Sequence, residues 1–495
     1  MTQNFKKIKR QNQTVNTEPN KPHRPRKLHP IFRFSPLVLF LFSCALLAPP
    51  TLQIPTPIPN APPLPGTPQG DAEVVEVGVF IPPDPANAVT DPVSDVYPDL
   101  DPDIATLVNA VSEQQLMAYV QRLESFGTRN AFSDVESQTF GIGAARRWIQ
   151  QEMTRVGQAS NGRLIVENDP FRLDYSGFFA EQENIIATLP GTEPGAGVIV
   201  IMAHYDTRSV DETDGFTRAP GANDNGSGIA LLIETIRLLS SRTWNQTIIF
   251  AALAAEEQGT YGARDLVSQL IRDGRQVIAA INYDTVGGRA DIPRSIRLFA
   301  PDLARSQSGV IARYYNFMAK LYVPAFPIDI IDALDREGRW GDQREFVYAA
   351  MPAIRLTESV EDPDLVNSKL DTWDIIDYTY LRQVTQLNVA VIANMAGAPT
   401  PPAPPTVVNM AIPGSFLLTW PRNPNAAGYA IAFREATSDI RNYPPLRFVN
   451  NAEAGNVVLT GYDPSRAYFM TMSAIDERGR MSLFSAPVLI EPQQQ

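Results

Sequence analysis

Three uninterrupted apolar runs mark the middle of the chain, at residues 198–202, 247–253 and 277–281, and none shows the in-out alternation of a half-exposed strand. Runs of this length and composition predict strands buried on both faces. Between the first two, residues 227–239 repeat apolar positions at helical spacing. Another helix is predicted over 143–156, where Ala145, Trp148, Ile149, Met153 and Val156 share a core-packing face and Gly157 stands at the C-cap position. Ser112-Glu-Gln-Gln115, ahead of Leu116, Val120 and Leu123, has the form of a capping box and opens the globular part. Strand, helix, strand, helix predicts an α/β fold: a mixed, mostly parallel sheet flanked by helices, with functional residues at the carboxyl ends of the strands.

The pattern changes after a Pro-rich joint at 399–405. Residues 416–420, 428–433, 456–459 and 467–472 are short strand-like segments separated by turn residues, which predicts a C-terminal all-β sandwich. Trp420, Tyr429 and Tyr468 are assigned to its core, and with the stretch 474–482 near its end this tail resembles a fibronectin type III domain. At the other end, residues 49–103 are dense in Pro, a composition that favours an extended spacer. The expected organisation is a head over 1–48, a linker over 49–105, an α/β domain over 106–398, the joint over 399–405 and the sandwich over 406–492.

Charge separates the head from the body. The first 33 residues carry nine Lys/Arg against Glu18, so the formal charge of -12 leaves everything after them at -20. An acidic body argues against nucleic acid as partner, because binding phosphates requires clustered positive charge. The basic head runs into the uncharged stretch 37–48, which has the length of an export-signal core. Extended back to Ile31 it approaches the minimum for a membrane span, and the positive flank sets the cytoplasmic side. A signal-anchor with the body outside the membrane is expected, or a secreted body if the signal is cleaved; Leu41-Phe-Ser-Cys44 also allows a lipidation reading. Cys44 is the only cysteine, so the body has neither disulfides nor a thiolate metal site. Of three histidines two lie in the head, which puts any imidazole chemistry of the body on His204.

The candidate chemistry follows directly on the apolar runs. Ala203-His-Tyr-Asp206 ends the first, so His204 and Asp206 share a face, one able to bind a metal and the other to orient the imidazole. Pro220-Gly-Ala-Asn-Asp-Asn-Gly-Ser-Gly228 sets Asp224 in a glycine-rich turn before a helix. Ala254-Ala-Glu-Glu-Gln-Gly259 presents Glu256 and Glu257 after the second run, and Asp284 follows the third. Taken singly, each carboxylate is the kind of residue usually found solvated on a surface. A His, a bridging Asp, a Glu pair and a further Asp, each at a strand end, meet the needs of a hydrolytic two-metal site.

These motifs, with Ser125-Phe-Gly-Thr-Arg129 and Asn184-Ile-Ile-Ala-Thr-Leu-Pro-Gly191, resemble the M28 family of zinc peptidases, the aminopeptidase Y and S type, over residues 126–395. The resemblance implies a zinc exopeptidase fold. It implies one Zn²⁺ on His204, Asp284 and the bridging Asp224, with Asp206 behind His204, and a second on Asp224 and Glu257. Glu256 is implied as general base, and the implied substrates are peptide or protein N-termini, although some members are carboxypeptidases. The family's last ligand, a histidine in a His-Ser-x-x-Asp-Thr segment, is replaced here in Asn367-Ser-Lys-Leu-Asp-Thr372. An amide oxygen suits Ca²⁺ or Mg²⁺ better than zinc. The expectation is one firmly bound zinc and a weaker second, with Glu361, Asp362 and Asp364 as alternative donors. Two other functions stay open: a non-catalytic surface adhesion protein using the same fold, and a single-zinc enzyme like the related glutaminyl cyclases.

Overall fold

The computed structural model describes residues 93–493. The basic head, the apolar run with Cys44 and the linker up to residue 92 lie outside the described residues, and among those described no helix is long and apolar enough to cross a membrane.

One sheet of eight strands organises the body: β1 (Ile165–Tyr175), β2 (Phe178–Leu189), β3 (Val198–His204), β4 (Thr247–Leu253), β5 (Val277–Tyr283), β6 (Ile296–Ala300), β7 (Ile328–Asp332) and β8 (Ala353–Glu358). Their spatial order is β1-β2-β4-β3-β5-β8-β6-β7. The pairs β4/β3, β3/β5, β5/β8 and β6/β7 are parallel, while β1/β2, β2/β4 and β8/β6 are antiparallel, which is the mixed, mostly parallel sheet expected.

Among the described residues the α-helices are α1 (Pro102–Asn109), α2 (Glu113–Glu124), α3 (Gly141–Gly157), α4 (Gly228–Leu239), α5 (Tyr261–Arg272), α6 (Gln307–Tyr322), α7 (Gln343–Tyr348) and α8 (Tyr378–Gly397). Two-sided burial explains the continuous apolar runs. In β3, Ile199, Ile201 and Ala203 join a large core with α3, α4 and α8, whereas Val198, Val200 and Met202 face a smaller core with α5 and α7. Ser112 caps α2 by accepting the Gln115 N–H at 3.3 Å. Folded structure begins earlier than that capping box, because α1 buries Ile104, Leu107 and Val108. Its short apolar face was hidden in the sequence by the neighbouring prolines.

The C-terminal strands form two antiparallel sheets, β13-β10-β9 and β12-β11-β14-β15, from β9 (Thr406–Asn409), β10 (Phe416–Thr419), β11 (Gly428–Glu435), β12 (Arg447–Val449), β13 (Asn456–Leu459), β14 (Tyr468–Ile475) and β15 (Val488–Ile490). Trp420 and Tyr429 meet edge to face at 5.1 Å in the core between them. The four-stranded sheet has a second buried face: Ala430, Ala432, Phe448 and Ile475 join the core of the α/β body. Tyr314 Oη and Asn394 Nδ2 both donate to the Met481 carbonyl, at 2.8 and 2.9 Å, across the same junction. The Pro-rich joint therefore links two elements of one continuous core.

Candidate metal centre and active site

β3 delivers His204, 1% exposed, to the carboxyl edge of the sheet. Asp206, two residues on, lies with one carboxylate oxygen 3.6 Å and its carbonyl oxygen 3.2 Å from His204 Nδ1. The same carboxylate accepts the backbone N–H groups of Glu256 and Glu257, each at 3.1 Å. Asp206 thus fixes the imidazole and the acidic turn after β4 together. That turn is tight, with Ala255 at φ 57°.

Asp224 is held by a different device. Gly221 precedes it at φ 53°, and a side chain there would come within 2.5 Å of the Asp224 carbonyl oxygen, so only glycine fits. Asp371 grips the turn from across the pocket, accepting the N–H groups of Asn223 at 2.7 Å and Asp224 at 2.9 Å. Arg129, fully buried, donates to the carbonyls of Tyr205 (2.7 Å), Pro220 (2.7 Å) and Gly221 (2.8 Å), tying the end of β3 to the same turn. Asn225 reaches β5 through the Tyr283 carbonyl at 2.8 Å, where Asp284 follows. Arg355 then bridges Asp284 at 3.0 Å and Asp335 at 2.8 Å.

These supports bring three ligand atoms together. His204 Nε2 lies 3.3 Å from Asp224 Oδ1 and 3.6 Å from Asp284 Oδ1, and one atom from each residue falls within 4.8 Å of the others. A tetrahedral ion with bonds of about 2.0–2.1 Å has ligand separations of about 3.3–3.4 Å. The trio fits such an ion by donor type and by spacing. Electrostatics agree: burial alone would lower the His204 pKa, yet Glu256, Asp206, Asp224 and Asp284 hold it well above the ordinary value. Converging carboxylates around one imidazole call for a cation.

Glu256 and Glu257 line the adjoining pocket of about 420 Å³ with Asp224, Asp284, Arg208 and Asn367. Burial raises Glu256 well above the ordinary carboxyl range, with His204 opposing and Asp342 and Asp284 reinforcing the shift. A carboxylate that binds protons readily is suited to proton transfer. Arg336, Gly338, Arg339 and Trp340, from the loop between β7 and α7, line the same pocket.

Glu257 and Asn367 line the same pocket as Asp224 and Asp284. Glu257, expected as a ligand of a second metal, accepts from Arg208 Nε at 2.8 Å. Of the alternative donors, Glu361 pairs with Arg297 at 2.6 Å and with Arg336, while Asp362 accepts the Asp364 N–H at 3.0 Å in its own turn. Sequence reasoning missed Arg208, Asp342 and Arg355. Asp371 and Arg129 stood inside segments already singled out, the Asp-Thr of 371–372 and the Ser-Phe-Gly-Thr-Arg of 125–129, and their positioning roles emerge only from the fold.

Comparison with known proteins places this geometry. The model of peptidase family M28 matches residues 184–392, from β2 to α8. A probable zinc metalloprotease of Leptosphaeria maculans is 32% identical over 383 residues, covering 70% of this chain and 89% of the relative. Another, from Pyricularia oryzae, is 30% identical over 407 residues, covering 72% and 80%. Among solved structures, the LapA aminopeptidase of Legionella pneumophila superposes with a TM-score of 0.49 at 20% identity, covering 60% of this chain and 76% of that one. With its glycine-rich Asp224 turn, acidic pair, His204 and Asp284 all inside the matched region, the chain belongs to peptidase family M28.

Proposed function

We propose that this protein is a zinc exopeptidase of the aminopeptidase type that removes residues from the N-termini of peptides outside the cytoplasm. The observation that carries the reading is Glu256 lining one pocket with Asp224 and Asp284, beside His204. His204, Asp224 and Asp284 are the residues that would hold zinc, a donor set of one nitrogen and carboxylate oxygens typical of that ion. When bound, zinc supplies Lewis acidity to a peptide carbonyl and brings the pKa of water near neutrality. Glu256 takes the proton from the attacking water and returns it to the departing amine. Asp206 keeps the imidazole and the Glu256 backbone in register during that exchange.

The exopeptidase polarity is supported by the pocket, whose 420 Å³ is near the small end of the range of about 300–1,000 Å³ for ligand sites and suits a chain end better than an extended segment. Placement outside the cytoplasm is supported by the basic head, the apolar run and a cysteine-free body. A peptide digest followed by mass spectrometry tests the polarity. Successive loss of N-terminal residues is expected, with blocked N-termini resistant; loss from the C-terminus or internal cuts would refute it.

A further inference from the structure

We infer that the active site takes a single zinc ion and that the guanidinium of Arg208 occupies the place of a second cation. The inference rests on the zinc reading above and sharpens it. Glu257 is the residue from which a second metal would have to hang, and both of its oxygens are engaged. Arg208 Nε donates to Oε2 at 2.8 Å. With its amide oriented so that each end meets a complementary partner, Asn367 donates to Glu257 Oε1 at 2.7 Å and accepts from Arg208 Nη2 at 3.1 Å. Three side chains close a ring in which the carboxylate meets two donors and the amide oxygen is taken by the guanidinium.

A metal ion taking Glu257 must compete with that ring and leave a guanidinium, only 22% exposed, with Glu212 at 3.9 Å as its remaining carboxylate. Removing one partner of such a pair is costly, because the remaining charge stays largely desolvated. Asn367 sits at φ 57°, a left-handed conformation that asparagine adopts more readily than most residues, and this turns its amide into the ring. Among the described residues only one group of three His, Cys, Asp or Glu brings its ligand atoms together, and Glu257 is not in it.

Histidine at 367 would offer nitrogen to a metal; asparagine offers both a donor and an acceptor, which is what a carboxylate beside an arginine requires. Asn367 and Arg208 then act together on Glu257. Glu257 becomes a positioning residue for Arg208 in place of a ligand. Arg208 borders the pocket together with Glu256, and its Nη1 also donates to the Ser209 carbonyl at 3.4 Å and lies 3.9 Å from Glu212, which fixes the guanidinium in place. It presents a bound peptide with a fixed hydrogen-bond donor where a second Lewis acid would otherwise stand.

Metal content per chain, measured on the full protein after equilibration with excess zinc and dialysis, tests the inference. The wild type should retain one zinc and the double variant R208A/N367H two; N367H alone should stay at one, because Arg208 still holds Glu257. Two zinc ions in the wild type would overturn the inference, and so would a folded double variant that retains one. The count is independent of activity. One zinc without hydrolysis of any peptide would refute the exopeptidase reading and leave this inference standing, whereas N-terminal trimming with two zinc ions would do the reverse.

Discussion

Asp206 joins the two halves of the chemistry, since its carboxylate faces His204 on one side and holds the Glu256 and Glu257 backbone on the other. Residues that orient a metal-binding histidine typically contribute 10–100-fold in metal affinity. Asp206→Ala should therefore weaken zinc binding by about that factor and should depress hydrolysis even at saturating zinc, because the acidic turn also loses two acceptors. Competition against a chelating dye measures the first effect, and unchanged affinity would contradict it. The candidate ligands stand out in the sequence because residue type and position coincide: a lone histidine and Asp284 at the ends of apolar runs, and Asp224 in a glycine-rich turn before a helix. Arg208, Arg355 and Asp342 were not legible. Arginines and aspartates are usually solvated, and only tertiary placement shows Arg355 bridging Asp284 and Asp335 at 1% exposure.

The turn before α4 shows how an element is shaped for its ligand. Gly221 is confined by Thr207 as well as by the Asp224 carbonyl, and its φ of 53° is strained for any side chain. Gly221→Ala is expected to destabilise the fold by about 1–3 kcal/mol, seen as a lower melting temperature, and to reduce zinc retention because Asp224 moves with the turn. An unaltered melting temperature and zinc content would show that the turn relaxes freely. At this scale the sequence was most informative for β3, β4 and β5, where two-sided burial leaves a continuous apolar signature. It was least informative for α1, whose eight residues carry one short apolar face beside a proline-rich stretch. β6 and the edge strand β7, five residues each, are likewise too short to stand out by pattern alone.

At the scale of the whole molecule, the body and the sandwich share a core. Phe448, Met481, Leu483 and Phe484 from the C-terminal part pack into the same cluster as α6 and α8, and the buried Asn394 and Tyr314 are satisfied by a carbonyl from the other side. Thermal unfolding should accordingly show one cooperative transition, and a chain ending at the joint should be markedly less stable; two well-separated transitions would contradict the shared core. A Pro-rich joint in the sequence suggests separation, since composition records where a chain bends and carries no information about what it packs against. Hydrolysis as proposed depends on proton transfer by Glu256 at a zinc centre built from His204, Asp224 and Asp284. Its most direct test is Glu256→Gln, assayed in parallel for zinc content and for peptide hydrolysis. Zinc content equal to wild type with hydrolysis reduced at least about 100-fold, the scale of general acid–base catalysis, is the predicted result; wild-type hydrolysis in that variant would contradict it.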